Sequence, residues 1–181
     1  MCDSWNKMYR KSFILSSGVK FEYKKGLNGS DLAFNHKLML CCPVIEALSE
    51  KVYYHIIYTK SAVHRKNKKL ELSVFTFMEQ LIDVCNREQI LSKMQNQLLL
   101  VYMASIRDVF QDCYAEKDNK KECKLEMDRL LHQTKEFASG HGIIIKPVKY
   151  TKSLYAFSIL YKLSLKKMLI KYFELRRNSI G

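Results

Sequence analysis

Proline occurs twice and glycine six times in 181 residues, too seldom for long flexible linkers or for disorder of the usual composition. No stretch approaches the ~20 uncharged apolar residues of a membrane-spanning helix. Asp3 and Asn6 stand where a signal peptide would need its apolar run, so the expected location is cytoplasmic. The six cysteines include no Cys-x-x-Cys pair, and adjacent Cys41 and Cys42 are poorly placed to bridge each other. They are expected to be reduced, behaving as small hydrophobes, and the ligand spacings of a zinc site are missing too. There is neither a Gly-rich phosphate loop nor a Ser/His/Asp arrangement. Acid is also short: 18 Asp and Glu face 31 Lys and Arg, a formal charge of +13.

That charge draws anions of any kind, whether nucleic acid, anionic lipid or phosphorylated substrate, and cannot choose among them. It gathers in two places. Residues 51–69 hold Lys51, Lys60, Arg65, Lys66, Lys68 and Lys69 with no acid, and from Lys149 onward eight cations face Glu174 alone. With 48% hydrophobic residues, the length suits one domain with a real core.

Patterning predicts an α+β fold. Gly18–Phe21, Val44–Leu48 and Val52–Tyr58 read as strands. Between the first two, Leu32–Cys42 reads as a short helix, opened by Ser30 or Asp31 as N-cap and ended by Pro43. From Lys69 the period becomes helical, with Phe75, Met78, Ile82 and Cys85 on one face and Leu91, Met94, Leu98 and Val101 on the next. A further helix is predicted over Lys121–Phe137, with Leu130 and Leu131 buried, and Ser139-Gly140-His141-Gly142 breaks the chain. Ile143-Ile144-Ile145 is either a short strand or a buried extended piece. The tail sets Tyr161, Leu165, Met168, Tyr172 and Leu175 on one helical stripe among lysines. It is either a last core helix or a basic amphipathic helix lying on an anionic membrane.

Three blocks stand in a characteristic order. They are Trp5-Asn6-Lys7-Met8-Tyr9-Arg10-Lys11-Ser12-Phe13, then Gly26-Leu27-Asn28-Gly29-Ser30-Asp31-Leu32-Ala33-Phe34, then Val52-Tyr53-Tyr54-His55-Ile56-Ile57-Tyr58-Thr59-Lys60-Ser61-Ala62-Val63. Gly18-Val19-Lys20-Phe21 lies between the first two. Over roughly residues 4–65 the chain resembles the acceptor-side second half of bacterial family 2 glycosyltransferases. There an Asn-Lys-Leu-Tyr-Arg-like block precedes Gly-x-x-x-Glu-Asp-Leu-x-Phe and a tyrosine-rich strand. The resemblance implies a small mixed sheet, the C-terminal part of a GT-A fold, over residues 1–68, and a helical extension over residues 69–181. It also implies transfer of a sugar from a nucleotide-sugar donor to a saccharide or lipid-linked acceptor.

In that family the Asp of Glu-Asp is the general base that takes the acceptor hydroxyl's proton, and Asp31 matches it. A carboxylate suits the task, and a helix start suits an anion. On residue pattern alone the stronger reading of Asp31 is a plain helix cap, and the resemblance turns it towards the base. Ser30 replaces the usual Glu, which keeps a cap but loses an acid near the acceptor or metal. The resemblance further suggests Trp5 stacking on a sugar face, Asn6 bonding a hydroxyl and Lys7 meeting a phosphate. His64 and Arg65 would approach a pyrophosphate or lipid phosphate. The plain alternatives are core packing for Trp5 and solvated charge for Lys7, His64 and Arg65.

The family's D-x-D metal and donor signature is missing, Glu126-Met127-Asp128 being the nearest approach. The chain is therefore expected to be a truncated form without the donor-binding half, inactive alone and with no cofactor of its own. The Mn or Mg belongs to the full-length family. Its possible partners are the family's nucleotide-sugar and acceptor, and a membrane touched peripherally, on its inner face, through the basic tail 149–181. The reading kept beside it is a small basic nucleic-acid-binding or helical interaction protein without catalysis, although no nucleic-acid motif supports the former.

Overall fold

The computed structural model describes residues 7–22, 30–41, 43–47, 49, 70–116 and 120–178. Among them 76% are helical, in seven helices, and none is in a strand. The predicted mixed sheet is therefore corrected for these residues. Gly18–Phe21 and residues 43–47 are irregular, and Val44 and Ile45 stand exposed. Val, Ile and Phe in a short run favour extended backbone, but a strand exists only when another strand pairs with it. Ile143–Ile145 is likewise not a strand. Val52–Tyr58 lies outside the described residues.

The chain divides into two compact units, 1–92 and 93–181. The first contains α1 (Lys11–Ser17), α2 (Ser30–Leu40) and α3 (Leu70–Arg87). Gly18 ends α1 at φ +63°, a left-handed conformation that glycine adopts without a Cβ clash. Along α3 a 3.6-residue period buries Val74, Phe77, Met78, Leu81, Ile82 and Cys85. α2 packs against α3, and the His36 ring meets Phe77 edge-on at 5.3 Å.

The second unit holds α5 (Lys120–Gly140), α6 (Lys152–Lys162), α7 (Lys166–Asn178) and nearly all of α4 (Leu91–Glu116). Its core is built from aromatics. Phe110 meets Phe157 at 5.9 Å and Tyr161 at 6.1 Å, and Phe157 meets Phe173 at 6.0 Å, within the 4.5–7 Å range in which edge and tilted ring pairs attract. Three buried hydroxyls inside it find partners. Tyr161 donates to Thr134 Oγ1 at 2.8 Å, Thr134 donates to the Leu130 carbonyl at 2.6 Å, and Tyr102 donates to the Thr134 carbonyl. Burial pushes the Tyr161 phenol up to about 12 and raises Tyr102 as well.

Three helices end in one way. After α3, Ile90 N–H reaches the Cys85 carbonyl and Gln89 N–H that of Asn86. After α5 the pairs are Ile143 to Ala138 and Gly142 to Ser139, and after α6 they are Leu165 to Leu160 and Ser164 to Tyr161. This is the paired bonding of a Schellman cap, which needs a left-handed residue. Gln89 (φ 57°), Gly142 (φ 67°) and Ser164 (φ 54°) supply it. The last of these caps divides the predicted single tail stripe into two helices. Tyr161 is then wholly buried on α6, while Met168 and Leu175 on α7 are exposed. Lys135 fastens the α6–α7 turn from α5, donating to the Lys162 carbonyl at 3.2 Å and to Ser164 Oγ, with its ammonium 5.6 Å from the Tyr161 ring centroid. Thr151 opens α6 by accepting from Leu154 N–H at 3.1 Å, and Ser158 Oγ accepts from Val148 N–H, holding the irregular 143–149 segment.

No described helix is long and apolar enough to cross a membrane. Cys85, Cys113 and Cys123 are buried free thiols and Cys41 a half-buried one. Burial raises the Cys85 thiol above its ordinary value.

Candidate functional site

Residues of the first two sequence blocks meet at the start of α2. Tyr9 donates its hydroxyl to Asn35 Oδ1 at 2.6 Å, and Asn35 Nδ2 donates to the Asp31 carbonyl at 3.1 Å. Asn35 reaches Asp31 because four residues make slightly more than one helical turn. The Phe34 ring packs between two others, 5.8 Å from Tyr9 and 5.3 Å from Phe21. The first block, the Gly18–Phe21 segment and the second block therefore converge on one side of α2. Partial burial pushes the Tyr9 phenol above its ordinary value.

Asp31 lies in the first turn of α2 and is half-buried. Its Oδ1 accepts from the Leu32 N–H at 2.8 Å, which fixes the carboxylate's direction. The helix is held from behind by Lys37, a buried cation. Its ammonium donates to Glu22 Oε1 at 3.1 Å and to the Lys20 carbonyl at 3.3 Å. Gln80 of α3 donates to the other Glu22 oxygen at 2.9 Å. A buried charge needs a partner of this sort to be tolerated. Arg87, at the end of α3, donates to the Ser17 carbonyl at 3.2 Å and so ties α1 into the same unit.

Of the residues expected to form the site, Ser30 opens α2 and Lys7 is half-buried two positions before Tyr9. Trp5, Asn6, His64 and Arg65 lie outside the described residues. Asn35, which joins the two blocks, was not singled out in the sequence; its one signal was the four-residue step from Asp31. Asn35 meets the Asp31 main-chain carbonyl rather than its carboxylate, and Tyr9 meets Asn35. Among the described residues no group of three His, Cys, Asp or Glu is placed to hold a metal ion. One half-buried carboxylate beside an amide and a phenol does not fit a divalent cation such as Mn or Mg.

No family model, curated protein or solved structure matches the chain.

Proposed function

We propose that the segment around α2 is the acceptor-side part of a sugar-transferring enzyme, with Asp31 as its general base. The observation that carries this reading is the Tyr9–Asn35–Asp31 connection, which joins in space the two blocks that resemble family 2 glycosyltransferases. The reading rests on these residues and their packing, not on a sheet. In the transfer, the acceptor hydroxyl oxygen bonds to the sugar's anomeric carbon as the bond to the nucleotide diphosphate breaks, and the hydroxyl proton passes to Asp31. Oδ1 is already engaged by Leu32 N–H, so Oδ2 is the oxygen that takes the proton. Tyr9, Asn35 and the ring contacts of Phe34 position the helix start, and donor binding is assigned to other elements.

Two measurements test the proposal. Amide shifts of the isotope-labelled chain, titrated with a panel of neutral and amino-sugar oligosaccharides, should move at residues 7–10 and 31–35. Shifts confined to α5–α7, or none at all, would sink it. In an assembly that supplies the donor-binding half, Asp31→Asn should lower turnover by a factor on the order of 10² or more with donor binding kept; unchanged turnover ends the general-base assignment.

A further inference from the structure

α7 has two unlike faces. Leu169 and Phe173 are fully buried. Steps of three and four residues put Met168, Lys171 and Leu175 together on the other side, where Met168 is 54% and Leu175 63% exposed. Lys167 and Lys171 are exposed within and beside this stripe. At the α6–α7 turn Lys162 is exposed as well, and Leu163 is 58% exposed. Several cations of the region are already engaged: Lys166 pairs with Asp128 at 2.9 Å, and Arg176 donates to Ser153 and to Tyr172. Among the described side chains, Lys162, Lys167 and Lys171 are thus cations exposed beside the exposed aliphatic side chains. Glu174, half-buried at the edge of the stripe, is the only acid from Lys149 to the end of the chain.

We infer that the outer face of α7, together with the Leu163 turn, docks on the surface of an anionic lipid bilayer. The positive charge complements anionic headgroups, and Leu163, Met168 and Leu175 enter the boundary between headgroups and acyl chains. Interfacial helices combine lysines with large apolar side chains in this way. A nucleic acid matches the face less well. Its backbone rewards the cations, but its bases are held by aromatic and guanidinium planes, and the side chains interleaved here are aliphatic. Three aliphatic side chains give reversible attachment rather than insertion. The inference stands independently of the sugar-transfer reading.

Sedimentation of the full chain with lipid vesicles tests it. Binding is expected to mixed phosphatidylcholine–phosphatidylglycerol vesicles, little to phosphatidylcholine alone, and weaker attachment as salt rises. Neutralising two lysines in Lys167→Gln/Lys171→Gln should reduce partitioning about 25-fold, from roughly fivefold for each lysine. Met168→Ser/Leu175→Ser leaves the charge unchanged and should still weaken binding severalfold. All four side chains are exposed, and far-UV circular dichroism checks that the helices remain. Absence of binding to the mixed vesicles overturns the inference. So does binding indifferent to Met168→Ser/Leu175→Ser. Tighter binding to a DNA duplex than to the vesicles, insensitive to the same pair, overturns it in favour of nucleic acid.

Discussion

The two units are held together by different physics. In the second, rings lock into one another around Phe157 and the few buried hydroxyls satisfy each other. In the first, the described contacts around α2 are a mixture of apolar packing and polar fasteners, several of them partly exposed: Glu22 between Lys37 and Gln80, and Arg87 against Ser17. Apolar burial sets global stability, whereas solvent-accessible polar fasteners open at lower free energy. The candidate general base thus sits beside polar fasteners, and the candidate lipid-facing surface on a helix whose inner face meets the aromatic core through Phe173.

The strongest way to break that contrast is Phe157→Ala. Phe157 is fully buried and touches Phe110, Tyr161, Tyr172 and Phe173, so truncation should cost about 3–5 kcal/mol. In urea titrations followed by circular dichroism, most of the helical signal should be lost at lower denaturant. An unchanged midpoint would mean that the aromatic cluster does not set stability.

Alkali should test the aromatic core next. Tyr161 titrates at about 12 when folded against about 10 when unfolded. A raised acid pKa means that the folded state keeps its proton longer. The associated stability is whole below pH ~10 and is lost as pH rises towards ~12, about 3 kcal/mol in all. Tyr102 shifts in the same direction. Stability measured across that window should fall less steeply in Tyr161→Phe than in the parent chain. Equal slopes would show that the hydroxyl ionises as freely in the folded state as in the unfolded one.

The smallest effect compares two helix ends. Gln89 and Ser164 both hold left-handed backbone at Schellman caps, a conformation that costs an L-residue roughly 1–2 kcal/mol. Gln89→Gly should therefore stabilise the first unit by about 1 kcal/mol. Ser164→Gly should gain less, because the Ser164 hydroxyl receives Lys135. Thermal midpoints of the two variants check the order; a larger gain at residue 164 would show that the Lys135 contact contributes little.

Helices with strong apolar period were legible in the sequence. Phe75, Met78, Ile82 and Cys85 mark α3, Leu130 and Leu131 are buried on α5, and the Gly140–Gly142 break falls where α5 ends. α1 was not foreseen, since Lys11–Ser17 buries no residue and so shows no buried face. Gly18–Phe21 and residues 44–47 misled because local β-preference carries no information about a pairing partner. The division of the tail at Leu163–Leu165 was hidden for another reason: its left-handed residue is Ser164, and serine does not announce a helix end as glycine does. For the candidate site, Asp31 at a helix start was readable, but the Tyr9–Asn35 bond spans 26 positions and no local pattern encodes it.

The clamp on the α6–α7 turn has a further consequence. Lys135 fixes the carbonyl that closes α6 and the side chain of the left-handed Ser164 together, so Leu163 projects from a turn whose backbone is already set. A surface that meets this turn orders little that was loose. The entropy of docking is reduced beforehand, in the folding of the bundle, and the free energy of each contact is then retained more fully as affinity.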